Sequence, residues 1–290
     1  MTKNRDADSG NTGMRAMLAR HGFRFKKQLG QNFLVDENVV KKIIAAADVG
    51  SCDGVFEIGP GAGAMTTKLA DIARRVVAVE KDRGLMPILD ERLADRNNVE
   101  LIFADVLDLD LSKVWPAFVD CESVHVIANL PYYITTPILF FLLEAGVPIE
   151  TMILMVQKEV ADRLAAPPGG KDYGALTVSV QYRCDVEKVA HVSPGSFVPS
   201  PGVESTVVRL RVRRDPKVRV VDDGQFHRIV KAAFALRRKT ILNALCAGLG
   251  MRKEEVAELL SQAEIVATRR GETLSLQEFA DLANLFPGNP

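Results

Sequence analysis

The feature that most constrains the fold is an alternation of short apolar runs with amphipathic segments between residues 54 and 156. The runs are rich in Val and Ile and are bounded by polar residues, which is typical of buried strands. Strands that alternate with helices indicate an α/β fold with a mostly parallel sheet and helices on both faces. The predicted strands are residues 54–58, 75–80, 99–103, 124–128 and 151–156. The predicted helices between them are residues 66–72, 85–93 and 137–143.

The flanking segments indicate how the rest of the chain is organised. The pattern of residues 36–47 predicts a helix that Asp36 caps, and another helix is predicted near residues 174–182. Two alternating runs, residues 186–192 and 205–212, are expected to form an antiparallel pair at the sheet edge. We therefore predict a flexible basic tail at residues 1–25, a sheet domain at residues 26–213 and a small all-helical C-terminal domain at residues 214–290.

The formal net charge of the chain is zero, but the charges are unevenly distributed. Residues 1–27 include seven basic and two acidic side chains, and residues 207–239 include eleven basic and three acidic side chains. A phosphate backbone responds to a local basic patch rather than to the net charge of the whole chain. Nucleic acid is therefore a candidate partner, although any single one of these charges is more often simply solvated.

The four cysteines lie far apart in the sequence and form no CxxC pair. This spacing argues against a zinc site or a disulfide framework, so we expect no metal and a reduced, cytoplasmic setting. The first residues are polar and lack the apolar core of a secretory signal. The most apolar region, residues 124–156, is interrupted by Asn129, three prolines and Glu144, which predicts a core segment rather than a membrane span.

A glycine-rich turn follows the first predicted strand, with the sequence EIGPGAG at residues 57–63. Glycines between a strand and a helix let a ligand approach the backbone closely. A dinucleotide-binding turn has the pattern G-x-G-x-x-G, but position 64 is Ala here. Glu57 would repel a pyrophosphate, whereas an acidic wall attracts the cationic groups of S-adenosylmethionine. The turn thus favours S-adenosylmethionine as the cofactor.

Polar side chains also mark the ends of the next three predicted strands. The second strand ends at Glu80, Asp105 follows the third strand, and Asn129 follows the fourth. Ligands of open α/β sheets bind at the carboxyl ends of strands, so we expect these side chains near the glycine turn. Glu80 is predicted to bind the ribose hydroxyls and Asp105 the adenine amino group. One acidic residue at a strand end is usually just solvated, but the combination predicts a methyltransferase.

Asn129 begins the motif Asn129-Leu130-Pro131-Tyr132. Pro131 stiffens the turn because its ring fixes the backbone angle φ. The Asn129 side-chain oxygen accepts hydrogen bonds, and Tyr132 offers a ring face on which a base can stack. These groups are suited to binding the amino group of an adenine. An ordinary turn before a proline is the alternative interpretation of these four residues alone.

These motifs and several others resemble the small-subunit ribosomal RNA adenine N6-dimethyltransferases, known as the KsgA family. The resemblance extends from about residue 26 to the C-terminus. The other matching stretches are LGQNFL at residues 29–34, YIT at 133–135, QKEV at 157–160, FVPSP at 197–201 and RRKT at 237–240. The resemblance implies a Rossmann-like, class I S-adenosylmethionine-dependent methyltransferase fold with a small helical C-terminal domain that binds RNA.

The resemblance also implies which residues line the cofactor site. They are Asn32, Leu34, Gly59, Gly61, Glu80, Asp105 and Asn129, with Lys81 and Val106 beside the two acidic positions. Gly202 and Glu204 depart from the family pattern, in which Lys and Asp are common there. Leu130 and residues 29–31 favour the small-subunit enzymes. The related large-subunit enzymes that confer macrolide resistance stay an alternative.

The reaction that the resemblance implies is dimethylation of N6 of two adjacent adenosines in a hairpin loop near the 3′ end of 16S rRNA, during biogenesis of the 30S subunit. The adenine amino nitrogen is a poor nucleophile because its lone pair is delocalised into the ring. We expect the Asn129 side-chain oxygen and the Leu130 or Pro131 carbonyl to accept its two hydrogens, so that positioning and electrostatics accelerate the transfer. Tyr132 is expected to stack on the base. Phe197 is expected either to cover the other face of the base or to belong to the core.

Two basic groups are expected to contact RNA phosphates. They are Arg24, Lys26 and Lys27 near the N-terminus, and Arg237, Arg238 and Lys239 on a helix that begins near Gln225. For the second group, compensation of the helix dipole is the alternative. The expected partners are small-subunit rRNA and the 30S subunit, with the protein as a monomer and without a membrane partner. A ribosome-assembly factor, and a methyltransferase for DNA adenine or a small molecule, are the competing functions.

Overall fold

The computed structural model describes the backbone of residues 5–286 and the side chains of residues 13–26 and 28–286. The chain divides into two compact units. The sheet unit comprises Met1–Ala161 and Glu187–Val212, and the helical unit comprises Asp162–Val186 and Arg213–Pro290.

The strands are β1 (Phe33–Leu34), β2 (Gly54–Ile58), β3 (Arg75–Glu80), β4 (Val99–Phe103), β5 (Val124–Asn129), β6 (Thr151–Gln157), β7 (Cys184–Val192), β8 (Phe197–Val198) and β9 (Ser205–Val212). The α-helices are α1 (Arg5–Arg20), α2 (Glu37–Ala47), α3 (Thr66–Ile72), α4 (Met86–Leu93), α5 (Leu111–Val114), α6 (Thr135–Glu144), α7 (Lys158–Leu164), α8 (Ala175–Arg183), α9 (Asp223–Ala235), α10 (Ile241–Leu249), α11 (Lys253–Gln262) and α12 (Leu276–Leu285).

Seven strands form one sheet in the order β4-β3-β2-β5-β6-β9-β7. The five strands from β4 to β6 are parallel, and β9 runs antiparallel to β6. The predicted, mostly parallel sheet is confirmed. From β2 the chain builds outward to β3 and β4, then returns to β5 on the other side of β2. This reversal makes the carboxyl ends of β2 and β5 the place where an open sheet leaves a crevice for a ligand.

The central strands β2 and β5 are mostly apolar, with Glu57 and His125 as buried exceptions, because both faces of the sheet are covered there. Every residue of β2 is buried, and β5 is buried from its first residue to Ala128. Helix α2 begins as predicted, since the Asp36 side chain accepts hydrogen bonds from the N–H groups of Asn38 and Val39 at 3.0 and 3.4 Å. Its apolar side packs into the core through Val40 and other buried residues.

The segment predicted to be a flexible tail contains helix α1 instead. Met14 and Leu18 lie four residues apart, on the same side of this helix. Both are buried in a cluster that includes Phe33, Leu85 and Leu89. The prediction was wrong for this helix because the basic composition of the tail concealed a short apolar face. Residues 1–4 lie outside the described part of the chain.

The helical unit contains more of the chain than the predicted C-terminal domain. Helix α8 belongs to it, because Tyr182 packs against Phe226 with ring centroids 4.5 Å apart and donates a hydrogen bond to Asp223 at 2.6 Å. Helices α9 and α10 also pack closely. A Cβ atom on Gly248 would lie 2.6 Å from the Cβ of Ala232, so this contact requires glycine.

Candidate active site

A pocket with about 810 Å³ of open space lies at the carboxyl ends of β2, β3, β4 and β5. It brings together residues that are far apart in the sequence, as the strand order requires. All of the predicted cofactor residues except Leu34 line it, and so does the whole motif at residues 129–132. The predicted residues in its wall are Asn32, Gly59, Gly61, Glu80, Asp105, Asn129, Leu130, Pro131 and Tyr132.

The glycine turn forms the floor of this pocket. Gly59, Gly61 and Gly63 have φ angles of 71°, 59° and 78°, in the left-handed region that favours glycine. A Cβ atom on Gly61 would lie 3.1 Å from the ring of Phe33. Gly59 and Gly61 line the pocket without a side chain, so a ligand can lie against the backbone there, whereas Gly63 faces Leu89.

Glu80 is bound to the glycine turn from the end of β3. Its Oε2 atom accepts a hydrogen bond from the Gly61 N–H at 3.2 Å, and its Oε1 atom accepts one from the Asp82 N–H at 2.8 Å. The residue is 8% exposed. Burial raises the pKa of Glu80, and these hydrogen bonds only partly counter the effect. The fixed carboxylate has free lone pairs with which it can accept hydrogen bonds from the hydroxyls of a ribose.

Asp105 lies at the rim of the pocket beside Lys81. The Lys81 Nζ atom is 2.5 Å from Asp105 Oδ2, and the Leu107 N–H donates to Asp105 Oδ1 at 3.1 Å. The hydrogen bond from Lys81 lowers the pKa of Asp105. The group is therefore an ionised acceptor at neutral pH, as binding of an amino group requires.

The orientation of the Asn129 side chain is set by Asn32. The Asn129 Nδ2 atom donates to the Asn32 backbone carbonyl at 3.0 Å. A carbonyl can only accept, so the NH₂ group must face it and the side-chain oxygen points elsewhere. The amide atom left for a ligand is thus an acceptor.

The two predicted backbone acceptors differ in their surroundings. The Pro131 carbonyl already accepts hydrogen bonds from the Ile134 N–H at 3.2 Å and from the Thr135 hydroxyl at 3.3 Å. The Leu130 carbonyl receives no donor from the described residues, while the Leu130 N–H is bound to the Met155 carbonyl at 3.2 Å. This arrangement favours Leu130 as the second acceptor.

Tyr132 is fixed at the wall of the pocket. Its hydroxyl lies 2.8 Å from Ser205 Oγ, at the start of β9, and burial raises the pKa of the Tyr132 hydroxyl. One end of the ring is anchored while the ring itself lines the pocket. A base that enters the pocket therefore meets a ring that needs no reorientation.

Two predicted residues are not in this pocket. Phe197 is 3% exposed and packs in the core with Val39 and Ile43, so the core alternative applies and the expected cover for the base is not found. Strand β8 pairs with β1, which sets Phe197 opposite Leu34. Leu34 is also buried, but it lines a smaller neighbouring cavity together with Gly59 and other residues of the glycine turn.

The basic residues near the N-terminus have different surroundings. Lys26 Nζ lies 2.5 Å from Asp82 Oδ1, and the Asp82 side chain is fully buried, so Lys26 is bound to the end of β3. Arg24 is exposed. The side chain of Lys27 lies outside the described part of the structure.

The second basic group lies in a turn after α9, not on a helix as predicted. Helix α9 ends at Ala235, and the Lys239 N–H closes the turn on the Leu236 carbonyl at 2.8 Å. Arg237 is bound within the helical unit, to Glu272 at 3.4 Å and to the Lys171 carbonyl. Arg238 and Lys239 are exposed. These two side chains are the better candidates for contact with RNA.

Glu57 has a different environment from the acidic wall that the sequence predicted. It is fully buried in β2, and neither carboxyl oxygen has a hydrogen-bond partner among the described residues. Burial raises the pKa of Glu57 to about 8; the nearby Thr66 hydroxyl partly counters this effect, and the charge of Glu80 adds to it. At neutral pH the group is mostly protonated, so it provides little negative charge. The only signal of this burial in the sequence was that Glu57 lies inside a predicted buried strand.

The described residues contain neither a cluster of metal-ligating side chains nor a membrane-spanning helix. No group of three or more His, Cys, Asp or Glu side chains there is arranged to hold a metal ion. No helix in the same part of the chain combines the length and hydropathy that a membrane span requires.

A glycine turn, two strand-end carboxylates and an Asn-Leu-Pro-Tyr motif at the reversal of a parallel sheet define a class I S-adenosylmethionine-dependent methyltransferase fold. Two solved structures support this class. A dimethyladenosine transferase from Plasmodium falciparum superposes with a TM-score of 0.72 at 26% identity, covering 86% of this chain and 95% of that one. The 23S rRNA methyltransferase ErmE superposes with a TM-score of 0.66 at 28% identity, covering 88% and 99%.

Sequence comparison defines the family more narrowly. A protein named ribosomal RNA small subunit methyltransferase A from Alkaliphilus metalliredigens (strain QYMF) is 49% identical over 269 residues, which is 92% of this chain and 94% of that protein. A protein of the same name from Clostridioides difficile (strain 630) is 45% identical over 281 residues, 97% of each chain. The family model described as ribosomal RNA adenine dimethylase matches residues 22–282. The chain belongs to the ribosomal RNA adenine dimethylase family, which confirms the resemblance found in the sequence.

Proposed function

We propose that this protein transfers methyl groups from S-adenosylmethionine to N6 of adenosine in small-subunit ribosomal RNA. The target would be two adjacent adenosines in a hairpin loop near the 3′ end of 16S rRNA, each dimethylated during assembly of the 30S subunit in the cytoplasm. The observation that carries the proposal is the pair of acceptors at the end of β5, the Asn129 side-chain oxygen and the Leu130 carbonyl. The name shared by the relatives supports the small-subunit target over a large-subunit one.

The residues of the pocket fit the cofactor. The glycine turn offers a floor without side chains, Glu80 offers acceptors for the ribose and Asp105 an acceptor for the adenine amino group. The residues that would hold the cofactor are Asn32, Gly59, Gly61, Glu80, Asp105 and Asn129. When bound, S-adenosylmethionine supplies an electrophilic methyl group on its sulfonium.

The protein does not need a strong base for this reaction. The Asn129 oxygen and the Leu130 carbonyl would accept the two N6 hydrogens of the adenine. Two acceptors favour a tetrahedral nitrogen, whose lone pair is then directed at the methyl group. As the bond from nitrogen to carbon forms, the bond from carbon to sulfur would break with its electron pair on sulfur, and the cationic nitrogen would then release one proton to water. The acceleration comes from preorganised dipoles and from positioning, because both acceptors are already held by Asn32 and Met155.

The target base has to leave its stack to reach these acceptors. Tyr132 would stack on the extruded base, since its hydroxyl is tied to Ser205 and its ring lines the pocket. The pocket must also accept N6-monomethyladenine, because a second methyl group is added to the same nitrogen. Arg238 and Lys239 would contact RNA phosphates from the helical unit, and we expect the protein to act as a monomer.

The test is incubation of the purified protein with labelled S-adenosylmethionine and either unmethylated small subunits or naked 16S rRNA, followed by mapping of the modified base. We expect N6,N6-dimethyladenosine at two adjacent positions with the wild-type protein. The variant Asn129→Ala should bind the same RNA without methylating it. Label in large-subunit rRNA alone would favour the macrolide-resistance activity. Binding to small subunits without any label would favour a pure assembly factor.

A further inference from the structure

Phe25 is an exposed aromatic residue in the sheet unit, flanked in sequence by two basic residues. It is 40% exposed, although an aromatic ring of this size is usually buried. Arg24 is exposed beside it, and the Lys26 side chain is 46% exposed. An open ring between cations is the combination that proteins use to bind single-stranded nucleic acid, in which bases stack and phosphates are neutralised.

The ring is held in place by two other aromatic residues. The centroid of Phe25 lies 5.7 Å from that of Phe23, edge to face, and 5.5 Å from that of Phe33. Phe33 is 7% exposed, lines the candidate active site and lies against Gly61 of the glycine turn. Phe25 is therefore separated from the pocket by a single ring.

The backbone next to Phe25 is fixed as well. The Lys26 N–H donates to Gln31 Oε1 at 2.8 Å, and Gln31 Nε2 donates to Asp82 Oδ2 at 2.6 Å. Lys26 Nζ binds the other oxygen of Asp82 at 2.5 Å, and the Asp82 N–H in turn donates to Glu80. The exposed ring of Phe25 thus belongs to a segment that is hydrogen-bonded to the end of β3, where the cofactor residue Glu80 lies. A ring fixed in this way loses little conformational entropy when a ligand stacks on it.

We propose that Phe25 is a stacking platform for an unpaired base of the substrate RNA, close to the adenosine that enters the pocket, with Arg24 at an adjacent phosphate. The inference rests on the proposed function for the nature of the substrate. It adds a second aromatic contact outside the pocket, which no residue of the Asn-Leu-Pro-Tyr motif provides. Such a contact would help to keep the target nucleotide extruded, because the base beside it would also be held by the protein.

The test compares Phe25→Leu and Phe25→Trp with the wild-type protein in binding to an oligoadenylate decamer and to a decamer of the same length with abasic sugars. Leu retains apolar volume but has no π face, whereas Trp retains the stacking surface. Loss of one base–aromatic stack weakens binding by about 5- to 150-fold, so this is the expected loss for Phe25→Leu with oligoadenylate. Phe25→Trp should bind like the wild type, and the abasic decamer should not distinguish the three proteins. Val119→Ala, at a residue that is 81% exposed, is the control for loss of an exposed apolar side chain.

Three results would overturn the inference. They are unchanged oligoadenylate binding by Phe25→Leu, equal weakening with the abasic decamer, and, in a parallel binding measurement with intact 30S subunits, a loss that is found there and not with oligoadenylate, which would indicate contact with a ribosomal protein. Measurement of cofactor binding and of the melting temperature of every variant shows whether the fold is intact. If Phe25→Leu fails to fold, Phe25→Trp still tests stacking. Failure of the wild-type protein to methylate rRNA, with the Phe25 effects on oligoadenylate present, would reject the proposed function and leave this surface established.

Discussion

The side-chain nitrogen of Asn129 lies 3.0 Å from the backbone carbonyl oxygen of Asn32, although the two residues are 97 positions apart in the sequence. This hydrogen bond joins the end of β5 to the segment before β1. It also determines which atom of the Asn129 amide is free, since a carbonyl cannot face another acceptor without repulsion. Whether Asn129 presents an acceptor or a donor to a ligand therefore depends on a contact between two distant segments.

Changing Asn129 to Asp is expected to abolish most of the methyl transfer. The substitution replaces the NH₂ donor by a carboxylate oxygen that would face the Asn32 carbonyl, so the group must rotate or move away. Loss of one preorganised polar contact at a reacting group costs on the order of 100-fold in rate, and Asn129→Ala should cost at least as much. Single-turnover methyl transfer to small subunits measures the effect. The affinity of both Asn129 variants for RNA should stay unchanged. Asn38→Ala, at an exposed position of α2, serves as the control. Near-normal methyl transfer by Asn129→Asp would contradict the proposed role.

Cofactor affinity is expected to rise as the pH rises through the pKa of Glu80. Burial raises this pKa above its ordinary value, and only the ionised carboxylate accepts hydrogen bonds from both ribose hydroxyls. The affinity should therefore fall on acidification at a higher pH than an ordinary glutamate would give. Calorimetric titration of S-adenosylmethionine across the acidic range checks this. Glu80→Gln should bind more weakly and lose the pH dependence; a wild-type affinity that does not vary with pH would exclude Glu80 as the ribose acceptor.

Glu57→Gln is expected to stabilise the fold at neutral and alkaline pH. The folded-state pKa of Glu57 is about 8, above its value of 4.5 in the unfolded chain. Between these values the unfolded carboxyl ionises while the folded one stays protonated, so the free energy of unfolding decreases as the pH rises through this window. A shift of this size corresponds to a loss of a few kcal/mol. Denaturant unfolding at several pH values should show a flatter profile for Glu57→Gln, and parallel profiles for both proteins would show that Glu57 does not titrate in this way.

The double variant Arg238→Ala/Lys239→Ala is expected to weaken RNA binding and to reduce its salt dependence. Both side chains are exposed, whereas Arg237 is bound to Glu272 and Lys171 and is left unchanged. Each lost phosphate contact should lower the slope of log affinity against log salt by about 0.7 to 0.9. Binding of 16S rRNA at several salt concentrations measures the slope. Lys41→Ala/Lys42→Ala removes the same charge from exposed positions of α2, and an equal effect of this control would show that only net charge matters.

Gly248→Ala is expected to destabilise the helical unit. The added Cβ atom would lie 2.6 Å from the Cβ and 2.8 Å from the Cα of Ala232, so α10 and α9 have to move apart. Overpacking costs about 1 to 3 kcal/mol, and the close approach to the Ala232 backbone places this variant toward the upper end, above the gain in helix propensity from glycine to alanine of about 1 kcal/mol. Thermal unfolding measures the loss. The control is Gly13→Ala in α1, where no atom lies within 4 Å of the added Cβ and the melting temperature should not fall.

Much of the fold was predictable because its signals are local. Strands β2, β3 and β4 have the predicted bounds, since each is a short run dominated by apolar, mainly β-branched residues between polar or glycine-rich turns. The positions of Glu80 and Asp105 also followed from the sequence, because parallel strands bring their carboxyl ends to one edge. The start of α2 was equally clear from its cap at Asp36.

What the sequence by itself determined is the order of strands and helices, the residues at the strand ends and the family to which they belong. Only the tertiary structure decided that Phe197 lies in the core, that Glu57 is fully buried with no hydrogen bond from the described residues and that Arg237 is held within its own unit. It also shows that the Pro131 carbonyl already accepts two hydrogen bonds while the Leu130 carbonyl accepts none from the described residues, a difference that no pattern of residues indicates. The physical reason is that periodicity and turn chemistry act between neighbours in the chain. Burial, pKa and hydrogen-bond occupancy depend on atoms brought together from distant segments.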